Sequence, residues 1–249
     1  MRKILLGLVA TLFLHELPAQ GVLGKIKKTI NTDSIKKQIP VSGSQNQGTL
    51  SNEEVIAGLR DALSVAAKKT TGMLNKNDGY FADAAIKILM PDEAKEVEKT
   101  LRKFGMSSYV DKAILSMNRA AEDAAGGVDS IFLSAIRNMT IEDGISILKG
   151  KDDAATNFLR KSTYDELSRK MRPVIGASLK KVDATKYWKD VFTQYNRFMK
   201  NDVNPDLEEY VTNKALDGLF HKISLEEKNI RKNPAARVTD IMKKVFSSF

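Results

Sequence analysis

From Ser51 onward, apolar residues recur every three to four positions, the period of a helix that buries one face. Val55, Leu59, Ala62, Leu63 and Ala66 define the first face, and "SNEE" before it has the form of a capping box between Ser51 and Glu54. The spacing predicts a helix to about Thr71, a turn at "NKNDGYF", and a helix opened by Pro91 and closed by Gly105. Ser107 or Ser108 is the expected cap of the next helix, whose face holds Val110, Ile114, Met117, Ala121 and Ala124 and which stops at Gly126-Gly127. Further helices are expected over roughly 128–139, 140–149, 152–161, 163–182, 184–200, 204–232 and 234–246, with Thr140, Asp152, Asn204 and Asn233 as caps. Pro173 falls inside the pattern Tyr164, Leu167, Met171, Val174, Ser178 and is expected to kink that helix near Arg169. Strand-like alternation is confined to a short extended piece at "AAIKILMP". The fold class is all-α: a single irregular domain of roughly nine to ten helices over residues 51–249.

The first residues follow a different pattern. Arg2 and Lys3 precede an apolar run over 4–14 and the break "HELPAQG", the layout of a secretory signal peptide over residues 1–19 with cleavage near Ala19. That run is too short for a bilayer core of about 30 Å, and no later stretch is apolar enough to cross one. Residues 20–39 form a basic, weakly helical amphipathic segment through Val22, Ile26 and Ile30, and 40–50 read as a flexible Gly/Ser/Gln linker. A periplasmic or secreted protein, soluble once the leader is removed, is the expectation. The chain contains no cysteine, which excludes a lipid-anchored cysteine, a disulfide framework and a thiolate metal site.

Charge changes the picture through its placement. The net charge is +9, yet residues 20–50 and 222–249 each carry +4, while residues 51–221 balance 26 basic against 26 acidic groups. A nucleic-acid binder carries its basic face on the folded body, so nucleic acid is not an expected partner. Basic ends suit solubility, and allow weak attraction to an anionic membrane surface or an acidic partner.

Enzyme motifs are missing: no Gly-rich nucleotide fingerprint, no G-x-S-x-G elbow, no H-E-x-x-H. No cofactor, metal or catalytic residue is implied. "GVLGKIKK" has the wrong spacing for a phosphate loop, and "NKNDG" lacks the terminal Glu of a calcium loop. His221, the one histidine beyond the leader, lies four residues after Asp217 at the margin of an apolar face (Leu207, Val211, Ala215, Leu219, Ile223), where a solvated ion pair is the simplest expectation.

Two groups of side chains remain as binding candidates. In "LSMNRAAEDAA", Arg119 stands three and four residues before Glu122 and Asp123 and can pair with either; a second acidic pair, Glu142-Asp143, follows Thr140. If both pairs met in one cleft with Asn118, Arg119 and Arg137, they could hold a cation or polar ligand; otherwise they are helix caps and braces. The other group is aromatic: Tyr187, Trp188, Phe192 and Tyr195 make a stripe that packs in a core or lines an apolar groove.

"SNEEVIAGLRDALS", "LSMNRAAEDAA", "MTIEDGISILKGKDDAATNFLRKST", "TKYWKDVFTQYN" and "NPDLEEYVTNKALDGLFHKISLEEKNIRKNPAAR" resemble successive blocks of one family, the exported bacterial proteins called domain of unknown function 4197. The likeness runs from Ser51 to Phe246. It implies bacterial origin, export and one helical domain, and carries over no activity and no catalytic residues. The expected function is a non-enzymatic interaction or ligand-binding module whose partner is an unidentified envelope protein or small ligand. The alternatives are a carboxylate-dependent, metal-assisted enzyme and a carrier of an apolar or lipid ligand.

Overall fold

Ser51 caps the first helix as expected. Its hydroxyl accepts from the Glu54 amide at 3.2 Å while the Glu54 carboxylate accepts from the Ser51 amide at 3.0 Å, closing the capping box. In the computed structural model the described residues are 50–181, 183–185, 188 and 206–248. The expected leader, the basic segment, most of the expected linker, Asn204-Pro205 and nearly all of the expected 184–200 helix lie outside them.

Among the described residues there are eight α-helices, two 3-10 turns and no strand: α1 Asn52–Leu74, α2 Lys95–Lys103, α3 Ser107–Ala124, α4 Asp129–Arg137, α5 Ile141–Lys149, α6 Ala154–Lys180, α7 Leu207–Lys232 and α8 Asp240–Phe246. The all-α class holds, with somewhat fewer helices among the described residues than expected for the whole chain. One reason is that the expected helices 152–161 and 163–182 are one continuous helix, α6, running through Pro173. Its main buried stripe, Ala155, Leu159, Thr163, Leu167, Met171, Ile175 and Leu179, is spaced by four rather than alternating three and four, with Thr156 and Gly176 buried beside it. At about 100° per residue each four-residue step turns the stripe by about 40°, so it winds around the helix. That winding lets α6 pack against α3, α4, α5 and α7 at once, and it places Val174 in solvent instead of the core.

Several caps differ from expectation. α3 has no side-chain cap, because Gly105 (φ +75) closes α2 in a left-handed turn that leads straight into Ser107. The Met106 amide bonds the Leu101 carbonyl at 2.9 Å and the Gly105 amide that of Arg102 at 3.1 Å, a Schellman motif. Asp152 does not cap α6; it pairs with Lys232 at 2.7 Å, and the start of α6 is satisfied from α7 by Glu227. α7 opens with Asp206 as its cap. Thr140 and Asn233 cap as expected, but the last segment breaks after Pro234–Ala236, and Thr239 starts α8.

α1 lies against α4, α5, α7 and α8. Gly144 lets α5 come close: a Cβ there would fall 2.0 Å from Ile56 Cδ1. The expected faces of α1, α3 and α7 are all buried. No described helix is long and apolar enough to cross a membrane.

Between α1 and α2 the chain has no regular structure from Asn75 to Pro91, yet Tyr80, Ile86, Ile88 and Met90 are buried. The expected extended piece therefore alternates inward and outward as a strand does, but has no strand beside it.

Candidate functional site

The charged cluster of α3 turns out to face that irregular segment. Asn118, fully buried, accepts from the Ile88 amide (2.9 Å) through Oδ1 and donates to the Ile88 carbonyl (2.8 Å) through Nδ2. One side-chain amide thus supplies the donor and acceptor that a neighbouring strand would have supplied. One turn further, the buried Glu122 carboxylate accepts the successive amides of Tyr80 (3.0 Å) and Phe81 (3.1 Å) through Oε1 and bonds Arg119 Nη1 (2.6 Å) through Oε2. Arg119 also reaches Asp78 at 2.7 Å, and these two carboxylates, Glu122 first, raise its already high pKa.

Tyr80 anchors the same segment from the other side. Its ring lies on Gly218 of α7, where a Cβ would come within 2.8 Å, and its hydroxyl donates to the Ala215 carbonyl at 2.8 Å. Burial first, and the Glu122 charge second, drive its pKa far above the ordinary tyrosine range. Lys222 and Asp83 add an ion pair at 2.8 Å, and Tyr210 donates to the Leu89 carbonyl at 2.7 Å.

The remaining candidates lie elsewhere. Asp123 accepts from Ser178 at 2.9 Å. Asp143 completes a capping box with Thr140; Glu142 and Arg137 are exposed. The second acidic pair belongs to α5, whose Gly144 touches Ile56 and Leu59 near the start of α1, whereas Glu122 sits beside the turn after its end. From Leu59 to Leu74 at 1.5 Å per residue is about 22 Å, so the two pairs do not share a cleft. Among the described residues no three His, Asp or Glu side chains converge as a metal site. Asp217 pairs with Arg160 at 3.2 Å rather than with His221.

Two concavities flank the anchored segment. The larger, about 980 Å³, runs between residues 85–93 and the exposed side of α6 and α7, and its lining mixes Lys87, Arg160, Lys214 and His221 with Asp92, Asp153 and Asp217. The smaller, about 540 Å³, lies between α2, α3 and the start of α7. It is lined by Val97, Leu101, Val110, Ala113, Met117, Trp188 and Leu207, with Tyr109, Lys112 and Arg119 also bordering it. Trp188 is buried and stacks on Tyr210, ring centroids 6.2 Å apart and planes 17° from parallel. Of the aromatic stripe, Trp188 meets the groove; Tyr187, Phe192 and Tyr195 lie outside the described residues.

Residues 49–247 match the family described as protein of unknown function (DUF4197). Neither a curated protein nor a solved structure matches the chain. The match spans well over half of the sequence, and the chain belongs to that family.

Proposed function

We propose that this DUF4197 protein is an exported, non-enzymatic binding protein whose apolar groove between α2 and α3 takes the hydrocarbon part of an amphiphile. The observation that carries this is the groove itself: about 540 Å³, within the ordinary range for ligand pockets, and lined mainly by Val97, Leu101, Val110, Ala113, Met117 and Trp188. Lys112 at its border offers a cation to an acidic headgroup. Export rests on the basic start Arg2-Lys3, the apolar run over 4–14 and Ala19 before the break.

The carboxylate-dependent enzyme is less well supported. Glu122, Asp123 and Asp143 are each engaged in holding backbone or a neighbouring side chain. The chain's single tryptophan makes the groove testable. Titration with oleate is expected to change Trp188 emission saturably, and Ala113→Phe, which fills the groove, to abolish the response while leaving the far-ultraviolet circular dichroism unchanged. Emission indifferent to oleate would reject the proposal. Intact mass of the secreted product tests export, with a chain beginning at Gln20 as the expected result.

A further inference from the structure

The two most exposed large hydrophobic side chains among the described residues stand on one corner of the fold. Tyr109 and Phe104 are 72% and 71% exposed, and Met106 lies between them in sequence. The corner is built to present them: the Schellman turn at Gly105 reverses the chain within three residues, putting Phe104 at the end of α2 and Tyr109 in the first turn of α3. α2 itself contains no fully buried residue and touches the core through half-buried Val97 and Leu101. Its acidic neighbours are already answered, since Arg102 bonds both Glu98 and Asp111 at 2.9 Å. Exposed Lys103 and Lys112 flank the apolar tip, with Lys99 one turn back beside Glu96 at 3.9 Å.

We infer that the α2–α3 corner docks on an anionic lipid bilayer, Phe104, Met106 and Tyr109 entering the interface while Lys103 and Lys112 face the headgroups. Aromatic side chains at a tight tip, flanked by two exposed lysines, match the chemistry of a lipid–water boundary. The positive sign selects anionic over zwitterionic lipid. Tyr109 and Lys112 also border the apolar groove, so a bilayer seated here meets the groove at its edge. The docking needs only the corner, and stands whether or not the groove is filled.

Co-sedimentation of the secreted form with phosphatidylglycerol-containing vesicles tests it. Binding is expected to fall about ten-fold on phosphatidylcholine vesicles, and as far for Phe104→Ser/Tyr109→Ser on the anionic ones. Lys103→Glu/Lys112→Glu is expected to weaken binding and flatten its salt dependence. Leu225→Ser/Val238→Ser, which removes exposed apolar residues elsewhere, should bind as the parent does. Phe104→Ser alone, exposed and outside the groove lining, should lower vesicle binding while keeping the parent's melting curve and its Trp188 response to oleate, separating this inference from the groove. Unchanged vesicle binding by the Phe104→Ser/Tyr109→Ser variant, equal binding to both lipids, or a dimer in sedimentation that this variant loses would each overturn it.

Discussion

Glu227 and Arg231, one turn apart on α7, hold the facing ends of two other helices. The Glu227 carboxylate accepts the amides of Ala155 (3.0 Å) and Thr156 (2.8 Å) at the start of α6, and Arg231 Nη2 donates to the Ile147 carbonyl (2.8 Å) near the end of α5. They bond each other as well, at 2.8 Å. Each sign suits its helix end, the anion at the positive N-terminus and the cation at the negative C-terminus. Glu122 and Arg119 repeat the device on α3, with an irregular segment in place of a helix start.

Glu227→Ala leaves Arg231, whose side chain is 14% exposed, without its carboxylate, and orphans the α6 amides. A loss of about 3–5 kcal/mol is expected in urea unfolding. The double change Glu227→Leu/Arg231→Met should cost less than the single one, because no lone charge stays buried. Equal costs would show that the two residues act separately.

Glu122→Ala removes the acceptor for Tyr80 and Phe81. Arg119 is partly exposed and keeps Asp78, so a smaller loss of about 2–3 kcal/mol is expected. Hydrogen exchange should locate it, with faster exchange at the Tyr80 and Phe81 amides and little change in α6. Asn118→Ala should act in the same way at Ile88.

Gly218→Ala sets a methyl group against the Tyr80 ring, at an expected cost of about 1–3 kcal/mol. Tyr80→Phe loses only the bond to the Ala215 carbonyl, about 1 kcal/mol. The methyl group would shift the ring whose hydroxyl makes that bond, so a double-mutant cycle should deviate from additivity.

Two groups give opposite pH dependences. Lys222 first, then the Ala85 amide, holds Asp83 below its ordinary pKa; its contribution is present above that ordinary value and is lost as pH falls through the lowered one. Thermal melts should therefore show the gap between the parent and Lys222→Met closing below about pH 4. Tyr210 is pushed up to about 12, by burial first and then by Asp92 and Glu93. Its neutral form is the one the fold favours, so that contribution is whole below about pH 10 and is lost as pH rises toward its folded value. Absorbance at the tyrosinate band, compared with Tyr210→Phe, measures it.

The regular faces of α1, α3 and α7 could be read directly, because one side of each meets one partner surface. α6 could not: a stripe that winds looks like a weak pattern, and breaking it near Lys161 and centring it on Val174 followed from assuming a straight one. The buried polar residues carry a signal of their own. The four-residue step Val110, Ile114 continues onto Asn118 and Glu122, and the step Leu219, Ile223 continues onto Glu227 and Arg231. A charged residue on an apolar stripe has been buried for a purpose, and that purpose is a backbone partner. What lay beyond reach was which backbone: the amides of Tyr80 and Ala155 are 42 and 72 residues away.

The segment from Asn75 to Pro91 draws hydrogen bonds at Tyr80, Phe81, Ile88 and Leu89 from side chains of α3 and α7, which sets its place in the order of folding. It cannot settle until those two helices stand side by side. Mutations at its anchor points should hasten unfolding while leaving the rate of refolding nearly untouched in stopped-flow measurements, the mark of a wall that sets after the helices on either side of it.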